Sequence, residues 1–257
     1  MSFALITGAS KGIGKAIAFE LARKGKDVLL VARNEEMLRT VSNEIETTLK
    51  VRAAWLAIDL SGKDAPQQVL NWCEENGYVI DVLVNNAGYG LSGPFEKYSL
   101  EEHLQMMEVN MSALVKMTFL FLPGLKRQSQ SYILNIASSA GYQSTPFLSL
   151  YSATKAFVIN FSRGLRHELK GSTVSLTCIS PGSTDTGFNT RAQLGQKALD
   201  LAKKVQMTPE EVGKVAVSAM FKKKTEVIVG VLNKLGAFMV WLLPKKFIEN
   251  TAKKIYQ

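Results

Sequence analysis

Tyr151 and Lys155 stand four residues apart in Tyr151-Ser-Ala-Thr-Lys155, and Ser138 lies upstream of both. On a helix, positions i and i+4 share one face, so the lysine ammonium is carried beside the phenol. A free phenol titrates near pH ~10 and does no acid–base work at neutrality. A cation about 4 Å away, at an effective dielectric of about 20, is worth roughly 4 kcal/mol. At about 1.4 kcal/mol per pKa unit, that brings the phenol to around 7, where a general acid or base works best. The same spacing also describes an amphipathic helix with an exposed lysine. Only the rest of the chain separates the two readings.

The elements that must position these groups alternate along the chain. Apolar runs at Phe3–Thr7, Asp27–Val31, Val51–Ile58, Val79–Val84, Tyr132–Ala137, Val174–Ile179 and Val227–Val229 read as buried strands. Helical patterns fall between them, near 14–25, 35–49, 64–76, 100–122, 149–169 and 209–222. This alternation predicts an α/β fold, a parallel sheet with helices on both faces. No linker or repeat interrupts it, so one domain over 1–257 is expected. The region 183–207 breaks the rhythm after the Pro181-Gly182 turn and reads as a lid-like insertion or a solvent-facing helical excursion.

Composition narrows the function classes. Hydrophobic residues make up 46% and charged residues 21%, as in an ordinary soluble globule. Cys73 and Cys178 give neither a disulfide framework nor zinc spacing, and with only two distant histidines no metal site is expected. Buried thiols, no basic leader before the first strand and no apolar run near 18 residues predict a cytoplasmic chain. The net charge of +9 is concentrated late: Lys197 to Gln257 holds twelve Lys and no Arg against five acidic residues. No nucleic-acid motif accompanies that charge, so no nucleic-acid partner is expected.

The first strand ends in Thr7-Gly8-Ala9-Ser10-Lys11-Gly12-Ile13-Gly14, before a helix. Glycines there let the backbone approach a pyrophosphate, and the helix start offers N–H donors and positive partial charge. An acidic residue at the end of strand two usually holds the ribose hydroxyl of NAD. Here the chain reads Val31-Ala32-Arg33-Asn34 instead. Arg33 suits a 2′-phosphate bidentately, and Lys11 adds charge, so NADP(H) is favoured over NAD(H). Arg33 reads equally as a cap or solvated end of the next helix.

The ordered set of motifs resembles the short-chain dehydrogenase/reductase family over nearly the whole chain. It comprises Thr7-Gly8 to Gly14, Asp59-Leu60, Asn85-Asn86-Ala87-Gly88, Asn110, Ser138, Tyr151 to Lys155, and Pro181-Gly182-Ser183-Thr184-Asp185-Thr186. Ser138, rather than Ser139, has the family's distance to the tyrosine. The resemblance implies a Rossmann-like doubly wound parallel sheet of about seven strands. It implies that Gly8, Ser10, Lys11, Gly12, Ile13, Gly14, Arg33, Asn34, Asp59 and Leu60 hold the adenine half of the cofactor. Asn86, Ala87, Gly88, Tyr151, Lys155, Pro181, Gly182, Thr184 and Thr186 would meet the remainder. Asn110 would kink its helix and order a water, Ser138 would donate to a substrate carbonyl, and Tyr151 would act as general acid/base.

The resemblance further implies a ketone or 3-oxoacyl reductase and a homodimer or homotetramer. The residues flanking the motifs, Tyr89, Leu91, Tyr142, Phe147 and Phe188, are apolar or aromatic and predict a small hydrophobic carbonyl or acyl substrate. Two alternatives stand beside the enzyme: an NADP-binding redox-sensing regulator, and a membrane-associated scaffold. The second rests on the C-terminal extension 231–257. There the stripe Val231, Leu235, Phe238, Met239 and Leu242 precedes a second helix pattern with Lys245, Lys246, Lys253 and Lys254 on its polar face. Packing on the domain or a subunit is the ordinary reading, and weak peripheral membrane contact is the other.

Overall fold

The computed structural model describes residues 2–185, 192, 199–200 and 206–256. The strands β1 (Phe3–Thr7), β2 (Asp27–Ala32), β3 (Ala53–Ala57), β4 (Ile80–Asn85), β5 (Ser131–Ile136), β6 (Val174–Ser180) and β7 (Glu226–Ile228) pair in one sheet. Its order is β3-β2-β1-β4-β5-β6-β7 and every pairing is parallel. Among the described residues the α-helices are α1 (Gly12–Arg23), α2 (Glu35–Leu49), α3 (Ala65–Glu75), α4 (Leu100–Met107), α5 (Ala113–Lys126), α6 (Ser149–Glu168), α7 (Pro209–Phe221), α8 (Val231–Leu242) and α9 (Lys245–Tyr256).

The central strands are apolar on both faces because both faces are covered. Ala4, Ile6, Val28, Leu30, Val82 and Val84 pack with α1, α2 and α7 on one side. Their neighbours Phe3, Leu5, Leu29, Val31 and Leu83 pack with α3 and α5 on the other. Period-two alternation thus divides one apolar run between two cores. Each fully buried Leu or Ile contributes about 1.5–3 kcal/mol to this.

The order of strands reverses between β1 and β4. In open parallel sheets such a switch point leaves a crevice beyond the carboxyl ends of the strands. Thr7, Asn85 and Ile136 close their strands on that edge.

Among the boundaries that differ from the sequence pattern, three stand out. β3 starts at Ala53 because Arg52 is drawn to Asp27, with backbone and Nε bonds of 2.8 Å each. The helix expected over 100–122 is divided by a π-helical turn at Glu108–Ser112. Its second part, α5, runs through Pro123 to Lys126. Proline removes one helical hydrogen bond there, while Leu125 beyond it is fully buried.

Candidate active site

The Gly-rich turn is shaped by contacts rather than by flexibility alone. Gly8 and Gly12 have φ of 66° and 57°. A side-chain carbon on Gly14 would lie 2.2 Å from the Gly8 carbonyl oxygen. Asn86 draws the same turn to the end of β4, its Nδ2 donating to the carbonyls of Thr7 at 2.9 Å and Gly8 at 3.2 Å. Thr7 Oγ1 accepts from the backbone N–H groups of Asn86 (2.9 Å) and Ala87 (3.1 Å). No side chain caps the start of α1, so its first amides remain available to an anion.

The Tyr151–Lys155 pair lies on α6, with the two side chains directed into the interior. Tyr151 is 8% exposed and Lys155 5%. The ammonium lies 5.9 Å from the centre of the Tyr151 ring and donates to the Ile136 carbonyl at 3.0 Å. Burial pushes the Lys155 ammonium down to about 8, against a smaller opposing effect of Cys178.

Asn110 is buried in the π-helical turn. Its Oδ1 accepts from the Tyr89 N–H at 3.0 Å, and its Nδ2 donates to the Tyr89 carbonyl at 2.9 Å and to Thr154 Oγ1 at 3.0 Å. Thr154 in turn donates to the Tyr151 carbonyl at 2.7 Å. One amide therefore links the Asn86–Tyr89 segment to the helix carrying the tyrosine and lysine. Gly88 fits between them: a side-chain carbon there would sit 2.9 Å from Asn110 Oδ1 and 3.4 Å from Lys155 Nζ.

Ser138 follows β5 in extended backbone and caps the short turn 139–142, its Oγ accepting from the Ala140 N–H at 3.2 Å. Ser139 N donates to the Pro181 carbonyl at 2.8 Å, joining that turn to the loop after β6. Tyr142 ends the turn with its hydroxyl directed elsewhere. It donates to Glu226 at 2.6 Å and lies 3.2 Å from Ser180 Oγ, while Arg163 holds the same carboxylate in two bonds. Burial, then the bond to Glu226, pushes the Tyr142 phenol well above its ordinary range.

The far end of the crevice is polar. Arg33 lies 3.4 Å from Asp59, both side chains being about half exposed. Burial opposes ionisation of Asp59, but bonds from the Ser61 N–H and hydroxyl, with the Arg33 charge, hold its carboxyl below the usual range. Asn34, not Arg33, caps α2, accepting from the Met37 N–H at 2.8 Å.

These groups border one cleft of about 590 Å³. Gly8, Ser10, Lys11, Gly12, Ile13, Arg33, Asn34, Asp59, Leu60, Asn86, Ala87, Gly88, Tyr151 and Lys155 all line it. Ser138 follows the lining residue Ala137. Gly14, Asn110, Pro181, Gly182 and Thr184 stand outside the lining, with Thr184 bridged to Met207. Thr186, Phe188 and most of the expected insertion at 183–207 lie outside the described residues.

Of the expected pocket residues, Tyr89 lines the cleft. Leu91 packs with Tyr89, Met106, Leu148 and Tyr151. Phe147 takes a left-handed backbone, φ 63°, and its carbonyl accepts from Gly93 N at 2.8 Å. Tyr142 is occupied by Glu226. Sequence reasoning did not single out Met37, Gln105 and Val109, which also line the cleft. Val109 had a signal in its position next to Asn110. Ser183, named within the Pro181–Thr186 motif, has its Oγ buried without a hydrogen-bond partner among the described residues.

Comparisons with known proteins agree with this arrangement. The short chain dehydrogenase family profile matches residues 2–197. An uncharacterized oxidoreductase of Staphylococcus epidermidis is 34% identical over 194 residues, which cover 76% of this chain and 83% of the relative. The very-long-chain 3-oxoacyl-CoA reductase-A of Danio rerio is 38% identical over 183 residues, covering 70% of this chain and 57% of that one. Among solved structures, a short-chain dehydrogenase from Sphingobium yanoikuyae in complex with NADPH superposes with a TM-score of 0.83. It is 29% identical, with 93% of this chain and 92% of that one covered. The chain belongs to the short-chain dehydrogenase family and is an oxidoreductase.

Proposed function

We propose that this oxidoreductase is an NADP(H)-dependent reductase that converts a hydrophobic ketone or 3-oxoacyl carbonyl to a secondary alcohol, or runs the reverse reaction. The observation that carries this reading is the convergence of Tyr151, Lys155 and the Gly8–Ile13 turn on one cleft. The NADPH complex of the Sphingobium relative and the 3-oxoacyl-CoA activity named for the Danio protein support it.

The residues fit a dinucleotide. Gly8 and Gly14 leave no room for added side chains and Gly12 takes a left-handed φ of 57°, while the buried Ser183 Oγ has no hydrogen-bond partner among the described residues. Gly8, Ser10, Gly12, Ile13 and Gly14 would take the pyrophosphate, and Asp59 and Leu60 the adenine. Arg33 and Lys11 would take a 2′-phosphate. Asn86, Ala87, Gly88 and Lys155 would take the nicotinamide ribose side, and Pro181, Gly182, Thr184 and Thr186 the carboxamide.

A nicotinamide held there would supply hydride chemistry at the carbonyl carbon. Ser138 donates a hydrogen bond to the carbonyl oxygen as negative charge develops there. Tyr151 transfers its phenolic proton to the same oxygen. Lys155 favours the phenolate left behind, by charge at short range in a buried setting. Asn110 has both amide hydrogens committed within the protein, so it acts as a positioning residue, fixing the turn that faces Lys155.

The test is consumption of NADPH and NADH against ketones, aldehydes and 3-oxoacyl thioesters, with Arg33→Asp alongside. The reading expects NADPH-linked reduction of at least one apolar ketone or 3-oxoacyl compound. It expects Arg33→Asp to weaken NADPH about tenfold or more, the size of a lost charge-assisted pair. Unaltered coenzyme preference in that variant would remove the NADP assignment.

A further inference from the structure

Outside the cleft, the largest feature the site leaves unused is the C-terminal helix pair. On α8, Val231, Leu232, Leu235, Phe238, Trp241 and Leu242 are between 54% and 80% exposed, and no residue of the helix is buried. Its one charged residue is Lys234. A helix apolar on nearly every side is stable when something covers it. An apolar patch of this extent marks a contact surface.

The charge around the patch indicates what covers it. α9 turns Ala252 inward and leaves Lys245, Lys246, Lys253 and Lys254 exposed. Glu249 is the sole acid in the two helices. A second copy seated on this face by a two-fold axis would set the same lysine rim against itself. A negatively charged bilayer complements both parts, the acyl boundary taking the apolar side chains and the headgroups taking the lysines. Trp241, 80% exposed beside Phe238, is the ring type that settles at headgroup level. Among the described residues no helix is long and apolar enough to cross a membrane, so the contact is with the surface.

We propose that α8 and α9 form a docking face for an anionic lipid bilayer, with α8 lying in the plane of the interface. The face is joined to the site. Asn233 donates to the Val229 carbonyl at 2.7 Å, and it packs so closely on Gly182 that a side-chain carbon there would lie 2.2 Å from its amide. α8 also packs on the turn 139–142 that follows Ser138. A docked chain therefore holds its Ser138 turn and Pro181-Gly182 loop next to the lipid. The proposal goes beyond the carbonyl-reductase reading and does not depend on it.

The experiment is co-sedimentation of the full chain with vesicles of phosphatidylcholine alone and of phosphatidylcholine mixed with phosphatidylglycerol, together with its mass in solution. Binding is expected to the anionic vesicles, with a blue shift of emission that disappears in Trp241→Ser. Raising the salt should weaken binding, because headgroup attraction is screened. Lys245→Glu with Lys246→Glu should lower the partition roughly tenfold or more. Phe238→Glu with Trp241→Glu should abolish binding at an unchanged melting temperature. Absence of binding, or equal binding to neutral and anionic vesicles, overturns the proposal. A fall in solution mass of the Phe238→Glu, Trp241→Glu variant also overturns it, since the face would then be a subunit contact.

Discussion

At the scale of single residues, the buried Lys155 combines a functional demand with a structural cost. Its ammonium is removed from water and donates to the Ile136 carbonyl. Burial lowers its pKa from 10.5 to about 8, so the folded chain binds fewer protons than the unfolded chain between those values. Stability contributed by this group therefore rises with pH across that window and is lowest below 8. Lys155→Met removes the burdened charge. We expect the cofactor-free variant to be more stable than the wild type by on the order of 2 kcal/mol at pH 7, with the gap closing toward pH ~10.5. Turnover should be lost at the same time. Melting temperatures of both proteins across pH check this, and a variant less stable than wild type at pH 7 would contradict it.

At the scale of elements, the site depends on places where two backbones meet closely. Gly14→Ala keeps a helix-compatible residue but drives a carbon to 2.2 Å from the Gly8 carbonyl oxygen. We expect a loss of about 1–3 kcal/mol in stability, as for overpacking, and at least a tenfold loss in NADPH affinity, read by calorimetry. Wild-type affinity would mean that the turn does not hold the pyrophosphate. The elements themselves were largely legible, because strands buried on both faces read as continuous apolar runs and the glycines mark the turn after β1. The π-helical turn at Glu108–Ser112 was legible only as a misplaced asparagine. Its cause is Asn110 bonding to Tyr89 and Thr154, residues 21 and 44 positions away. Tyr142 was misdirected for the same reason. Its partner Glu226 lies 84 residues on, and no local pattern announces a half-buried pair of that separation.

At the scale of the whole molecule, the sheet order places the switch point between β1 and β4, and one crevice carries both the Gly-rich turn and the Tyr151–Lys155 pair. Ligand binding should be visible as global stabilisation. At about a hundred times its dissociation constant, NADPH adds ~2.7 kcal/mol, or about 5–10 °C in melting temperature for a chain of this size. NADH at the same concentration should give a smaller shift, and equal shifts would count against Arg33 as a phosphate ligand. The surface was less legible than the interior. The apolar stripe on α8 is compatible with packing, and only its exposure in the fold shows that the body leaves it uncovered. The most direct measurement is turnover of NADPH by Tyr151→Phe beside the wild type, on a ketone or 3-oxoacyl compound the wild type reduces. With the phenolic proton gone, kcat should fall by about 10²–10⁴ while NADPH still binds with wild-type affinity. Turnover within a few-fold of wild type would show that Tyr151 is not the proton donor.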